Sequence, residues 1–193
     1  MGVNRNLGRR LPAVLAPIIL FLAIPGPLSA RLVEGDSVGV FSLEKRAGGE
    51  TAYPQDFQGQ VVLLCFWASW CPECKAEMPL LASLQDEFRG RPFALLAVNA
   101  DQTRKAAERF LEKHPTGLSV FLDPGQKLIR SLSPVGMPAA YLVGRDGRIH
   151  KVYVGLEEDA LAGYRKDIEA LLGAMPPAGT PAGQEPPQKG GAP

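Results

Sequence analysis

Histidine, cysteine and excess charge are all scarce in this chain of 193 residues. It has two histidines and three cysteines, and 21 basic side chains face 20 acidic ones, for a formal charge of +1. Without a basic excess, the chain lacks the electrostatic attraction on which nucleic-acid binding depends. A structural zinc site needs about four ligands, so the scarcity of histidine and cysteine argues against one. We expect neither a nucleic-acid partner nor a bound metal.

A long membrane-spanning run is also missing. The uncharged apolar stretch at residues 11–24 has 14 residues, whereas a transmembrane helix needs roughly 20. Arginines precede the stretch at positions 5, 9 and 10, prolines follow it at 25 and 27, and Ser29-Ala30 offers small residues for cleavage. This order is typical of an export signal. We predict that residues 1–30 are a signal peptide, with an uncleaved N-terminal anchor as the alternative.

The C-terminal segment, residues 174–193, is filled with six prolines and four glycines. Such a composition cannot bury enough apolar surface to offset the entropy that is lost on ordering. We predict a disordered Pro/Gly-rich tail there and a folded domain over residues 31–173. That length suits one domain with a substantial core.

Strand and helix patterns alternate along the predicted domain. Two short strand patterns flank Ala47-Gly48-Gly49, which predicts an N-terminal hairpin. The unbroken apolar run at 61–66 predicts a strand that is covered on both faces. We expect Asp101 or Thr103 to cap the second helix. Further strands are predicted at 93–98, 119–122, 139–143 and 148–154, and helices after the cysteines and at 104–113, 126–132 and 157–172. This order predicts an α/β fold with a mixed central sheet and helices on both faces.

The chemistry-bearing segment is Trp70-Cys71-Pro72-Glu73-Cys74, which follows the strand at 61–66 and opens a helix. Residues three apart share a helix face, so the two sulfurs can meet. Cys71 would face the free N–H groups at the helix N-terminus, which favour the thiolate that attacks disulfides. Cys74 would be more enclosed and would resolve the mixed disulfide. Pro72 is tolerated in a first helical turn. A disulfide between residues three apart is too local to act as a structural crosslink of the fold, so we predict a redox-active disulfide and no other cofactor.

The block from Phe66 to Pro79, FWASWCPECKAEMP, resembles the thioredoxin superfamily, and within it the exported TlpA/ResA/CcmG-like branch. The resemblance covers roughly residues 35–172. It implies a three-layer thioredoxin-like sandwich with an extra N-terminal β-hairpin. It also implies that Pro79 kinks the active-site helix, and that Pro138 is a cis-proline lying against the two cysteines. The backbone of Met137 would then be free to pair with an extended substrate chain.

The resemblance further matches Glu77 with a buried acid that tunes the thiols, because a carboxylate near a thiol disfavours the thiolate and can move protons. Glu73 is expected to be exposed and to oppose a strongly stabilised Cys71 thiolate, which predicts a reducing pair. Trp70 is expected to line the active-site surface, and Trp67 to lie in the core. Cys65 stands where thioredoxins carry a buried aspartate. We interpret it as a buried small hydrophobe, with a third redox role as the alternative.

The function implied is an exported thiol-disulfide oxidoreductase that reduces client disulfides, with apocytochrome c as a client and a membrane thiol reductant as electron donor. The alternative is a copper-site assembly protein or metallochaperone on the same scaffold, with copper-site proteins as its partners. Haem attachment through the C-x-x-C pair is excluded because Lys75, not histidine, follows Cys74. Peroxidase chemistry is disfavoured because it needs a lone attacking cysteine. The protein is expected in the periplasm or another extracytoplasmic space, free or tethered to the inner membrane.

Overall fold

The computed structural model of the protein describes residues 31–173. The predicted signal segment at 1–30 and the predicted tail at 174–193 lie outside the described residues, so both stay predictions. None of the helices within 31–173 is long and apolar enough to cross a membrane.

A single sheet of seven strands runs through the domain, in the spatial order β2-β1-β5-β4-β3-β6-β7. The strands are β1 (Leu43–Lys45), β2 (Thr51–Ala52), β3 (Val61–Trp67), β4 (Phe93–Asn99), β5 (Val120–Leu122), β6 (Ala139–Val143) and β7 (Ile149–Val154). The helices are α1 (Pro72–Glu87), α2 (Arg104–Lys113), α3 (Lys127–Leu132) and α4 (Ala160–Gly173). Every predicted strand and helix is therefore found, with bounds shifted by a few residues.

The sheet is mixed, as predicted. β3 pairs in parallel with β4, and β4 with β5, because the helical crossovers α1 and α2 return the chain to the same edge. β6 and β7 add to the other side of β3 in antiparallel order. The N-terminal hairpin is not separate from this sheet: β1 pairs with β5 and extends it. Sequence patterns locate a hairpin but do not show which distant strand it joins.

The two faces of β3 explain why the whole strand is apolar. Alternate side chains of a strand point to opposite faces. Val61, Leu63, Cys65 and Trp67 pack with the core that lies under α1, α2 and α4. The intervening positions from Val62 to Phe66 pack with α3 and the N-terminal segment. Helices cover both faces of the sheet, and the thioredoxin-like layer order is confirmed.

Three local expectations are corrected or refined. The last helix begins at Ala160 rather than at residue 157, because the chain at Glu157 forms a turn whose carbonyl accepts the N–H of Ala160. Thr103, not Asp101, caps α2 through a bond from the N–H of Ala106. Pro79 lies inside α1, which continues past it to Glu87. Pro79 therefore lies within the active-site helix, and the kink at Pro79 stays a prediction.

Candidate active site

The structure joins Cys71 and Cys74 in a disulfide, with an S–S distance of 2.07 Å and a Cα–Cα distance of 5.3 Å. Cys71 is the N-cap residue of α1, and Cys74 lies in its first turn. The spacing of three residues therefore does bring the two sulfurs together at the tip of a helix. Cys71 is 5% exposed and Cys74 is 1% exposed, so Cys71 is the outer of the two sulfurs. Their catalytic roles stay predictions.

The helix end around Cys71 is rich in hydrogen-bond donors. The N–H of Cys74 donates to the Cys71 sulfur over 3.1 Å. Pro72 occupies the first position of α1, where a missing N–H removes no helical hydrogen bond. Free N–H groups and the positive end of the helix dipole stabilise negative charge at this place. When the disulfide is reduced, these groups favour a thiolate on Cys71.

The loop before β6 has the cis peptide bond that the resemblance implies, between Met137 and Pro138. Pro138 is buried, and Met137 is half-buried and packs on the core cluster that contains both cysteines. The Pro138 carbonyl accepts the N–H of Gly155 over 2.8 Å. Within residues 31–173, no backbone hydrogen bond is formed by Met137. Its N–H and carbonyl are therefore able to pair with another chain.

Glu77 is buried, as predicted, with only 2% of its surface exposed. The hydroxyl of Tyr164, on α4, donates to its carboxylate over 2.6 Å. Burial raises the pKa of Glu77 above its ordinary value, and the hydrogen bond from Tyr164 offsets part of that rise because it favours the charged form. Since Glu77 is three residues after Cys74 on α1, both side chains lie on the same helix face. The site thus contains a carboxyl whose pKa lies closer to neutral pH than that of an exposed glutamate.

The third cysteine, Cys65, is a free buried thiol on β3. Burial, and then the charge of Glu77, raise the pKa of this thiol well above its ordinary value. A thiol kept protonated is a poor nucleophile. The interpretation of Cys65 as a buried small hydrophobe agrees with this position, and a third redox role stays untested.

The predicted substrate-contacting residues lie around the disulfide. Trp70 is 66% exposed, and Pro72 and Glu73 are exposed in the first turn of α1. Trp67 points the other way, into the core, and its indole N–H donates to the Ala97 carbonyl over 3.3 Å. The different expectations for the two tryptophans are therefore both confirmed. The effect of Glu73 on the Cys71 thiolate stays a prediction.

Sequence reasoning missed an anchor for the active-site loop. The buried Asp101 carboxylate accepts the Ser69 N–H over 3.0 Å, the Ser69 hydroxyl over 2.9 Å and the Asn99 amide over 2.8 Å. These bonds fix the backbone two residues before Cys71. The pairing of Trp67 with Asn99 at the ends of β3 and β4 is what makes the contact possible. The signal that could have indicated it is the polar pair at the end of a buried strand, with Asn99 the last residue of β4 and Asp101 two residues later.

No group of three or more histidine, cysteine, aspartate or glutamate side chains that could hold a metal occurs within residues 31–173. His114 ends α2 and packs on Phe110, with ring centroids 4.8 Å apart. His150 is exposed on β7, and its Nε2 lies 3.4 Å from Oδ1 of Asp146. Neither histidine therefore takes part in such a group within the described residues.

Comparison with known proteins gives a consistent picture. Residues 35–152 match the AhpC/TSA family. The thiol-disulfide oxidoreductase ResA of Bacillus thuringiensis (strain Al Hakam) is 30% identical over 115 residues, which are 59% of this chain and 66% of that protein. The chain therefore spans slightly less than two thirds of that relative. The ResA of Oceanobacillus iheyensis is 32% identical over 139 residues, 69% of this chain and 72% of that protein.

Solved structures agree with the sequence matches. A crystal structure of a protein from Chlorobium tepidum, assigned as a thiol:disulfide interchange protein DsbE, superimposes with a TM-score of 0.68 at 32% identity. The superposition covers 74% of this chain and 99% of the other. Both comparisons lead to proteins named as thiol-disulfide oxidoreductases or thiol:disulfide interchange proteins. The chain accordingly belongs to the AhpC/TSA family, and within the thioredoxin superfamily to the ResA-like thiol-disulfide oxidoreductases.

Proposed function

We propose that this protein reduces disulfides of client proteins outside the cytoplasm, using Cys71 and Cys74. The observation that carries this is the disulfide at the N-terminus of α1, with the outer sulfur on Cys71. The Cys74 N–H at the helix N-terminus favours a thiolate on Cys71, and Met137, in the cis-proline loop, forms no backbone hydrogen bond with the described residues. The ResA relatives support the same class of chemistry.

In the proposed cycle, the Cys71 thiolate of the reduced protein attacks one sulfur of a client disulfide. A bond forms between Cys71 and the client, and the other client sulfur leaves as a thiolate. Cys74 then attacks the Cys71 sulfur, which releases the client as a dithiol and re-forms the Cys71–Cys74 disulfide. Two electrons pass from protein to client. A membrane thiol reductant returns the pair to its reduced form.

In this scheme, Glu77 assists the deprotonation of Cys74. Cys74 is buried and must lose a proton before it can attack. The Glu77 carboxyl shares its helix face, and burial raises the pKa of that carboxyl. A carboxylate that is protonated nearer neutral pH is a better acceptor for the proton of a thiol. We infer that Glu77 takes this proton when Cys74 resolves the mixed disulfide.

Export and the identity of the client belong to the proposal as well. The signal-like pattern of residues 1–30 supports an extracytoplasmic location. The resemblance to the TlpA/ResA/CcmG-like branch supports apocytochrome c as a client. Copper-site assembly is separated by titrating the reduced protein with Cu(I), because tight stoichiometric binding would favour that alternative.

The full chain with Cys74→Ser tests the proposed cycle. A hydroxyl at that position cannot attack the mixed disulfide, so client proteins should stay attached to Cys71 and be released by dithiothreitol. The double variant with Cys71→Ser and Cys74→Ser is the control, since it keeps the buried Cys65. Equal adducts in the two variants, or none in either, would overturn the reductase function.

A further inference from the structure

An open groove lies beside the disulfide, between the active-site loop and α3. It is lined by Trp70, Ala100, the turn before α3, α3 itself and the loop at 133–137. Trp70 directly precedes Cys71, and Met137 directly precedes the cis-proline. A segment bound in this groove would therefore reach the reactive sulfur.

The groove presents large apolar side chains to solvent. Trp70 is 66% exposed and Val135 is 67% exposed. Ile129 and Met137 are half-buried along the same lining. Large apolar side chains that are exposed together, rather than singly, mark a surface on which a partner binds. The lining therefore fits an apolar side chain.

The charge of the groove is of one sign. Among the described residues that line it, Arg130 is the only one with a charged side chain. Arg130 is exposed on the last turn of α3, and its bond within residues 31–173 goes to the Gln126 amide oxygen over 3.4 Å. Five other arginines within residues 31–173 pair with carboxylates, namely Arg46, Arg89, Arg91, Arg104 and Arg165, whereas Arg109, Arg145 and Arg148, like Arg130, do not. The Arg130 guanidinium is thus available for an anion from outside.

The backbone of the loop restricts the shape of the partner. Met137 forms no backbone hydrogen bond with the described residues, and a strand-like segment can supply the missing donor and acceptor. In an extended segment, alternate side chains point to the same side. An apolar and an acidic side chain can therefore both face the groove while the cysteine faces Cys71.

We propose that this groove selects extended client segments that carry an apolar side chain and a carboxylate near their disulfide, with Arg130 binding the carboxylate. Guanidinium and carboxylate match in geometry as well as in charge. This inference rests on the proposed reductase function and specifies its substrate class. Arg130 is a specificity residue and takes no part in the exchange of sulfurs.

Synthetic peptides with one intramolecular disulfide and blocked ends test the selection. Three versions carry glutamate, glutamine or lysine two positions from an identical apolar residue, with one cysteine of the disulfide between them. Each is mixed with the reduced full chain, and the second-order rate of peptide reduction is measured. Arg130→Ala is compared with Arg109→Ala, which removes an exposed arginine on α2, across the sheet from α3. A second pair, Val135→Ser and Val40→Ser, tests the apolar contact, since Val40 is 96% exposed and is absent from the groove lining.

The glutamate peptide should react about two- to fivefold faster than the glutamine peptide, the range for one exposed ion pair. This ratio should fall to about one in Arg130→Ala, persist in Arg109→Ala and shrink as salt is added. Val135→Ser, but not Val40→Ser, should slow the reduction of all three peptides, because it removes an apolar side chain that the peptide contacts in the groove. Reduction of all three peptides at one rate would overturn the groove selection and leave the reductase function standing. No reduction of any peptide would overturn both.

Discussion

Removing the hydroxyl of Tyr164 should make the stability of this protein depend on pH in a specific way. The hydroxyl donates to the Glu77 carboxylate over 2.6 Å, and both residues are buried, at 1% and 2% exposure. Burial, and then the charge of Glu77, raise the pKa of Tyr164 above its ordinary value, so it remains a donor throughout the accessible pH range. The change Tyr164→Phe deletes this donor while keeping the ring that packs on Tyr153.

The free energy of unfolding that Tyr164→Phe loses should depend on the charge of Glu77. A hydrogen bond to a charged group contributes about 1.5–3 kcal/mol, and one between neutral groups about 0.5–1.5 kcal/mol. The variant should therefore lose roughly 1 kcal/mol more stability when Glu77 is ionised than when it is protonated. Because the lost hydrogen bond favoured the charged form, the pKa of Glu77 should rise further in the variant.

The direction of the pH effect follows from linkage. Burial raises the folded pKa of Glu77 above its unfolded value, for which 4.5 is the ordinary figure. The folded state then binds more protons, so the stability from this group is complete below the unfolded pKa and is lost as pH rises through the folded one. Tyr164→Phe should extend that loss to higher pH, because it raises the folded pKa.

Urea unfolding of the full chain between pH 4 and 8 measures this effect, and the same change in a Glu77→Gln background is the matched control. Glutamine keeps the size of the side chain but cannot ionise, so the control deletes the Tyr164 hydroxyl with no charged partner opposite it. The free-energy difference between Tyr164→Phe and the unchanged protein should grow with pH. A difference that is constant with pH, or equal growth in the Glu77→Gln background, would refute the coupling of Tyr164 to Glu77.

Two further predictions concern the groups around the disulfide. Asp101→Ala leaves three donors without their acceptor, and we expect the free energy of unfolding to fall by about 1–3 kcal/mol, the cost of a buried unsatisfied group. Peptide reduction should also be slower, because Ser69 loses its anchor. Full activity in this variant would contradict the anchoring of Ser69. Cys65→Ala removes one buried sulfur at a cost near 0.5–1.5 kcal/mol, the range for losing a small buried group. The glutathione equilibrium of Cys71 and Cys74 should be unchanged, and a marked shift would indicate a redox role for Cys65.

Much of the architecture was predictable because its causes are local. β3 is apolar at every position, a pattern that favours a strand covered on both faces. Alternation of strand and helix patterns required a sheet between helices. The edges were harder to predict. β1 joins β5 through only two paired positions, Glu44 with Leu122 and Lys45 with Phe121, and no local pattern encodes that choice of neighbour.

The active site, too, has features that the local sequence predicts and features that depend on the fold. A spacing of three residues on a helix determines by itself that Cys71 and Cys74 can bond, because the helical period fixes which side chains are neighbours. The cis bond at Pro138 was predictable only through the resemblance, since most bonds before proline are trans. Ser69 and Asp101 lie 32 residues apart in sequence, and their contact depends on where β3 and β4 end.

By itself, then, the sequence determined the strand pattern, the helix tip and the cysteine pair, because periodicity and spacing act over a few residues. The tertiary structure alone decided the environment of Glu77. Its partner Tyr164 is 87 residues away in sequence, and the two meet only because α4 packs beside α1 on the same face of the sheet. Burial and hydrogen bonding set the pKa of a carboxyl, and both depend on side chains that folding brings from distant parts of the chain.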